Sequence, residues 1–210
     1  MDSQTLLERI RSDIICGTIG LGEQLKQSEL AERYSVSKIP LREALVQLTS
    51  EGLVTSIKNR GSVVSQPSIE EMEELYVMRR ALEVVALERA FPLLGKRNFI
   101  SAAHHLTQCE HSNDAYEWTT LNWDFHFELY RPSNMPHLLN TLHQLHNNVT
   151  RYMVLYLKEM DFQSLSQEEH RELLEACEAQ DKRGAIRILK AHIDSALQHT
   201  LHYMKETRVC

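Results

Sequence analysis

Apolar positions recur at helical spacing along almost the whole chain. Leu6, Leu7, Ile10, Ile14 and Ile15 mark one face of a first helix near residues 3–16. Residues 16–22 carry three glycines and end it. Leu30, Ala31 and Tyr34 form the apolar face of a short helix over about 28–34. Ser35-Val36-Ser37 reads as a turn, and the Ser37 hydroxyl is placed to cap a third helix over about 38–51 by accepting from an orphan backbone N–H. Pro40 falls in the first turn of that helix, where its missing N–H does least harm. Leu41, Ala44, Leu45 and Leu48 make the buried stripe, and Gly52 stops the helix.

The pattern then changes. Residues 53–57 and 62–65 are β-prone, and between them Lys58-Asn59-Arg60-Gly61 reads as a hairpin tip with a basic side chain and a glycine suited to positive φ. Residues 66–68 read as a linker. From Ile69 onward the period is helical throughout, with helices expected near 69–92, 96–111, 114–131, 135–158, 166–180 and 182–205; residues 161–165 are among the separators. The expected fold is mainly α. A winged helix-turn-helix over residues 1–66, with a small β-hairpin wing, precedes an antiparallel all-α bundle over residues 67–210.

Composition narrows the class. The chain has 210 residues, 42% hydrophobic and 25% charged, which is ordinary for a globular protein and argues against disorder. With seven Gly and five Pro there is little material for the tight turns of an all-β fold. No apolar run reaches the roughly 18 residues of a membrane span. The first residues, Met1-Asp2-Ser3-Gln4, lack the basic and apolar regions of a secretory signal, so a cytoplasmic protein is expected. Cys16, Cys109, Cys177 and Cys210 are scattered with no C-x-x-C pair, which disfavours a zinc ribbon or a dithiol redox site. The net charge of −6 is unevenly spread. Residues 1–66 hold eight basic and eight acidic groups, so the acidic excess lies entirely in residues 67–210. Within 33–66, Arg33, Lys38, Arg42, Lys58 and Arg60 face only Glu43 and Glu51. A locally basic small domain tethered to an acidic one is a nucleic-acid footprint.

Residues about 9–66 resemble the DNA-binding domain of GntR-type bacterial transcriptional regulators. The resemblance is carried by Gly22-Glu23-Gln24-Leu25, Leu30-Ala31-Glu32-Arg33, the run from Val36 through Ser37-Lys38-Ile39-Pro40-Leu41-Arg42-Glu43-Ala44 to Leu45, Leu48, Glu51-Gly52-Leu53-Val54 and Arg60-Gly61. The remainder is similar to the FCD effector domain of the FadR-type subgroup, through Arg79, Leu82-Glu83, Phe125-His126, Asn134-Met135-Pro136, Glu169-His170 and His192. The family pattern usually has Arg-Thr before the proline, where this chain has Lys38-Ile39. The resemblance implies a regulator that binds an inverted-repeat DNA operator as a homodimer under control of a small-molecule effector, a carboxylate in the first instance. Lys38 and Arg42, four apart, project from one helix face toward base edges. Ser37 and Arg33 are expected on phosphates, and Arg60 with Gly61 at the minor groove.

Eleven histidines are many for this length. His104, His105, His111, His137, His199 and His202 read as surface residues, and His143 and His146 share a helix face without a third ligand. Asn122 and His126 are i and i+4, and His170 and His192 lie on two later helices, so a bundle can converge all four inward. The FCD pattern has an Asp-x-x-x-His pair followed by two separate histidines as metal ligands. Here Asn122 replaces the aspartate, and Asp124, two residues from His126, points away. The resemblance implies a divalent metal, zinc first, with nickel or manganese as alternatives. Arg79 matches a family arginine that suits an effector carboxylate; Glu83, at i+4, is its other natural partner. Two further readings stay open: a metal-free effector pocket, suggested by Asn122, and a helical metalloenzyme with an accessory domain. The enzyme reading lacks H-E-x-x-H, G-x-S-x-G, P-loop and dinucleotide motifs, and no histidine has a Glu three residues before it.

Overall fold

The three leading helices form as the apolar period dictates. In the computed structural model, which describes residues 3–58, 61–66, 68–157 and 162–206, they are α1 (Ser3–Ile15), α2 (Gln27–Arg33) and α3 (Lys38–Ser50). Gly52, at φ +76°, turns the chain out of α3. Ser37 occupies the N-cap position of α3 with extended backbone, but its side chain makes no capping hydrogen bond. The position was legible; the expected hydroxyl bond is absent.

Two hairpin strands follow, β2 (Val54–Ile57) and β3 (Gly61–Val64). They pair antiparallel, with Val54 opposite Val64 and Ile57 opposite Gly61. A two-residue strand, β1 (Gln24–Leu25), adds to the other edge of β3, giving the order β1-β3-β2. Two residues are too short to show an alternation, so β1 had no sequence signal.

Six longer helices complete the described residues: α4 (Ile69–Ala90), α5 (Lys96–His111), α6 (Ala115–Tyr130), α7 (Pro136–Leu157), α8 (Phe162–Glu178) and α9 (Lys182–Glu206). Ser68 caps α4 by accepting from the Glu71 N–H, and Asp114 caps α6 by accepting from the Glu117 N–H. The separator expected at 161–165 is an error over 162–165. These residues already belong to α8, whose apolar period begins later than its backbone. Residue 161 lies outside the described residues, as does Arg60, which the sequence places at the hairpin tip.

The apolar residues sort into two clusters. One gathers α1, α2, α3 and the small sheet around Leu6, Ile10, Ile14, Leu41 and Leu48. The other fills the bundle of α4–α9 around Trp118, Phe125, Tyr130, Leu173 and Ile193. Helix α1 serves both. Ile14 packs into the first cluster and its neighbour Ile15 into the second, because adjacent residues on a helix point about 100° apart. Arg11, also on α1, donates Nε and Nη2 to the Glu51 carboxylate just beyond α3.

Candidate metal centre and nucleic-acid interface

The buried stripe of α3 turns its other face outward. Ser37, Lys38 and Arg42 are all exposed there. Arg42 donates Nε to Gln27 Oε1 at 3.1 Å, which braces α3 against α2. Arg33 is tied to Asp13 at 3.2 Å and lies 5.6 Å from the centre of the Tyr34 ring. Its guanidinium is still exposed, so this weak tie leaves it able to meet a phosphate. Gly61 is exposed at φ +77°, with open space around it, at the start of β3.

Inside the bundle, His126 from α6, His170 from α8 and His192 from α9 converge. Their Nε2 atoms stand 3.1 Å (His126 to His170) and 3.3 Å (His170 to His192) apart. Two imidazole nitrogens at right angles around an ion with bonds of about 2.1 Å lie roughly 3.0 Å apart, and at the tetrahedral angle roughly 3.4 Å. The observed spacings fall in that window, so the three histidines are a set that can hold a metal ion. All three are buried. Burial, followed by the neighbouring imidazoles, holds His126 and His170 well below the ordinary 6.5. Both are thus neutral near pH 7, the form that coordinates metal.

The outer nitrogens are oriented. Glu169 Oε2 lies 2.7 Å from His192 Nδ1 and accepts its N–H, which leaves Nε2 as the lone-pair atom. Tyr130 donates its hydroxyl to Glu83 Oε2 at 2.8 Å, so its oxygen accepts from His126 Nδ1 at 3.2 Å. Burial and Glu83 push Tyr130 well above 10, keeping that hydroxyl protonated. Among the described residues, Asn122 Oδ1 and His170 Nδ1 are buried without a hydrogen-bond partner. An orphaned amide oxygen four residues before His126 on the same helix is what a fourth ligand looks like before its ion. Asp124 sits instead among His105, Glu128 and His143, as its spacing requires.

Arg79 takes the i+4 option: Nε donates to Glu83 Oε1 at 2.8 Å, and the guanidinium carbon lies 4.9 Å from the Tyr76 ring centre. Yet Nη1 is buried and has no hydrogen-bond partner among the described residues. The buried guanidinium retains a donor for a further acceptor. Glu83, Tyr130 and Glu169 thus link Arg79 and the triad into one polar network. Glu83 and Glu169 were among the residues that carry the FCD resemblance, but their partners were not legible, since Glu169 adjoins His170 yet serves His192 across a helix gap. His146 is buried, and both it and His143 stack on Trp123 at 4.8 and 5.5 Å. His105 and His199 are half-buried, against the surface reading, and His105 Nδ1 has no hydrogen-bond partner among the described residues; His104, His111, His137 and His202 are exposed.

Residues 74–195 match the family model described as the FCD domain, and residues 2–64 match that of the bacterial regulatory proteins of the gntR family. The chain belongs to the GntR family, in its FCD-bearing group. Like other GntR proteins it is a DNA-binding transcriptional regulator. It is 28% identical over 196 residues to the HTH-type transcriptional repressor GlaR of Escherichia coli (strain K12), covering 88% of this chain and 89% of that one. It is 27% identical over 188 residues to the Nta operon transcriptional regulator of Aminobacter aminovorans, covering 88% and 87%. Among solved structures, a GntR family regulator from Pseudomonas syringae pv. tomato str. DC3000 aligns at 30% identity and a TM-score of 0.63, over 98% of this chain and 87% of that one. E. coli McbR/YncC aligns at 21% identity and a TM-score of 0.82, over 96% and 97%, a likeness of fold. No helix among the described residues is long and apolar enough to cross a membrane.

Proposed function

We propose that this GntR regulator is a metal-dependent, effector-controlled repressor. Residues 1–66 bind the operator and residues 67–210 hold a divalent ion, zinc in the first instance. His126, His170 and His192 supply neutral nitrogens, and Asn122 Oδ1 supplies a neutral oxygen. The single observation that carries this reading is the convergence of three buried Nε2 atoms beside an orphaned amide oxygen. When bound, the ion supplies positive charge and open coordination positions for an acidic ligand. Arg79 Nη1 offers a second hold on such a carboxylate, within reach of the same polar network.

On the DNA side, Lys38 and Arg42 face base edges, Ser37 and Arg33 the phosphates, and Arg60 with Gly61 the minor groove. The operator is an inverted repeat read by a homodimer, for which the exposed apolar stripe of α4, Val77, Met78 and Val85, offers a contact surface. The repressor assignment leans on the GlaR likeness.

The test is metal analysis of purified protein beside a gel shift on its own upstream DNA. About one zinc per chain is expected in the wild type and almost none in His170→Ala. A discrete fragment should shift in a salt-sensitive way. Equal metal content in both proteins sinks the metal centre and favours a metal-free pocket.

A further inference from the structure

Helix α3 carries an apolar ridge where a solvated helix carries polar groups. Ile39 is 72% exposed and Val46 70%. At about 100° per residue the two lie within roughly 20° of each other, almost diametrically opposite the buried stripe of Leu41, Ala44, Leu45 and Leu48. Lys38 and Arg42 flank the ridge on one side, Glu43 and Gln47 on the other. Ile39 and Val46 therefore stand at the centre of the outward face, with exposed Ser50 at its C-terminal end, and the charged side chains stand beside them. On a helix lying in a groove, the centre of that face goes deepest.

The floor of the major groove offers one protruding apolar group, the C5-methyl of thymine; apart from the flat C5–H of cytosine, the other edges there are hydrogen-bond donors and acceptors. A branched aliphatic side chain has no hydrogen bond to give and excludes water from whatever it meets. It suits a methyl group and leaves an amine or carbonyl edge unsatisfied. Ile39 also stands where the family pattern usually has threonine, so a hydroxyl that can bond either kind of edge has been replaced by hydrocarbon alone.

We propose that Ile39 and Val46 read thymine methyl groups in each operator half-site, and so set its base sequence at those positions. Seven residues of helix span about 10 Å, or roughly three base-pair steps. The thymines accordingly lie about three steps apart. Arg42 and Lys38 take the acceptors of neighbouring base pairs or phosphates. This inference rests on α3 being the element that enters the major groove.

The experiment starts from an operator selected with the wild-type protein from random duplexes. Each thymine of a half-site is then replaced singly by deoxyuridine, which removes only the methyl group. Wild-type affinity is expected to fall about three- to tenfold at one or two positions and to stay unchanged elsewhere. Ile39→Ala should abolish the thymine preference at one of them, and Val46→Ala at the other. Both side chains are exposed, so both variants should melt like the wild type. Equal wild-type affinity for every uridine-substituted operator overturns the proposal while leaving DNA binding intact. So does a variant that weakens all operators uniformly. A variant whose sedimentation shows loss of self-association overturns it too, by making the ridge a contact between copies. If no duplex is selected at all, the docking of α3 falls first, and this inference falls with it.

Discussion

Single residues carry both halves of the function. Arg42 is exposed on α3 and Asn122 is buried on α6, so their substitutions should separate binding from folding. Arg42→Ala is expected to weaken specific operator binding by about 1–3 kcal/mol, the worth of a bidentate base contact. Its thermal unfolding should move little, because the side chain is exposed and its bond to Gln27 is an exposed one. A competition gel shift beside a melting curve checks both. Asn122→Asp exchanges an amide for a carboxylate of the same shape. In metal-free protein the new charge lies buried beside the triad and should lower the melting temperature. With zinc the same charge faces a cation, and affinity should rise at least about tenfold, read by chelator competition. Unchanged affinity would mean that Oδ1 is not directed at the ion.

At the scale of elements, the turn after α3 approaches α7 closely at one point. Gly52 holds φ +76°, and an added Cβ would lie 2.8 Å from Asn148 Oδ1. Gly52→Ala should therefore cost about 1–2 kcal/mol, chiefly for the left-handed backbone. Asn148→Ala in the same protein should return only a small part, since an amide end can swing aside. Denaturant melts of both variants decide it, and full recovery would assign the cost to the contact instead. Gly52 also illustrates what the sequence makes legible. It was readable as a stop because a helical apolar period ends at it, and the long helices were readable for the same reason. Strand β1 was not, because its pairing with β3 is tertiary and two residues hold no period. Ser37 was readable as an N-cap position, yet cap geometry depends on a side-chain rotamer that sequence does not dictate. The triad has ligands 44 and 22 residues apart, so the resemblance to the FCD pattern, not spacing, brought them together. Glu169 and Tyr130 needed coordinates, since a partner on another helix leaves no trace in local spacing.

For the whole molecule, the buried imidazoles tie stability to pH. His126, His146 and His170 are each held well below 6.5, first by burial and then by neighbouring cationic or imidazole groups. Below that value the unfolded chain binds protons that the folded chain refuses. Stability of the metal-free protein must then fall as pH falls, at roughly 1.4 kcal/mol per pH unit for each histidine that stays neutral. The loss is not confined to the bundle. Helix α1 puts Ile14 in one apolar cluster and Ile15 in the other, and Arg11 on α1 bonds Glu51 beside α3, so the DNA-binding element shares the bundle's fate. Chelated protein should therefore melt at a lower temperature at about pH 5.5 than at about pH 7.5, with both regions lost in one transition. Zinc should raise the melting temperature most at the higher pH, where the unfolded chain and the folded site compete least with protons for the ligands. A melting temperature that ignores pH over this range would mean that the three imidazoles take up protons without loss of the fold. Two separate transitions would mean that α1 does not couple the halves.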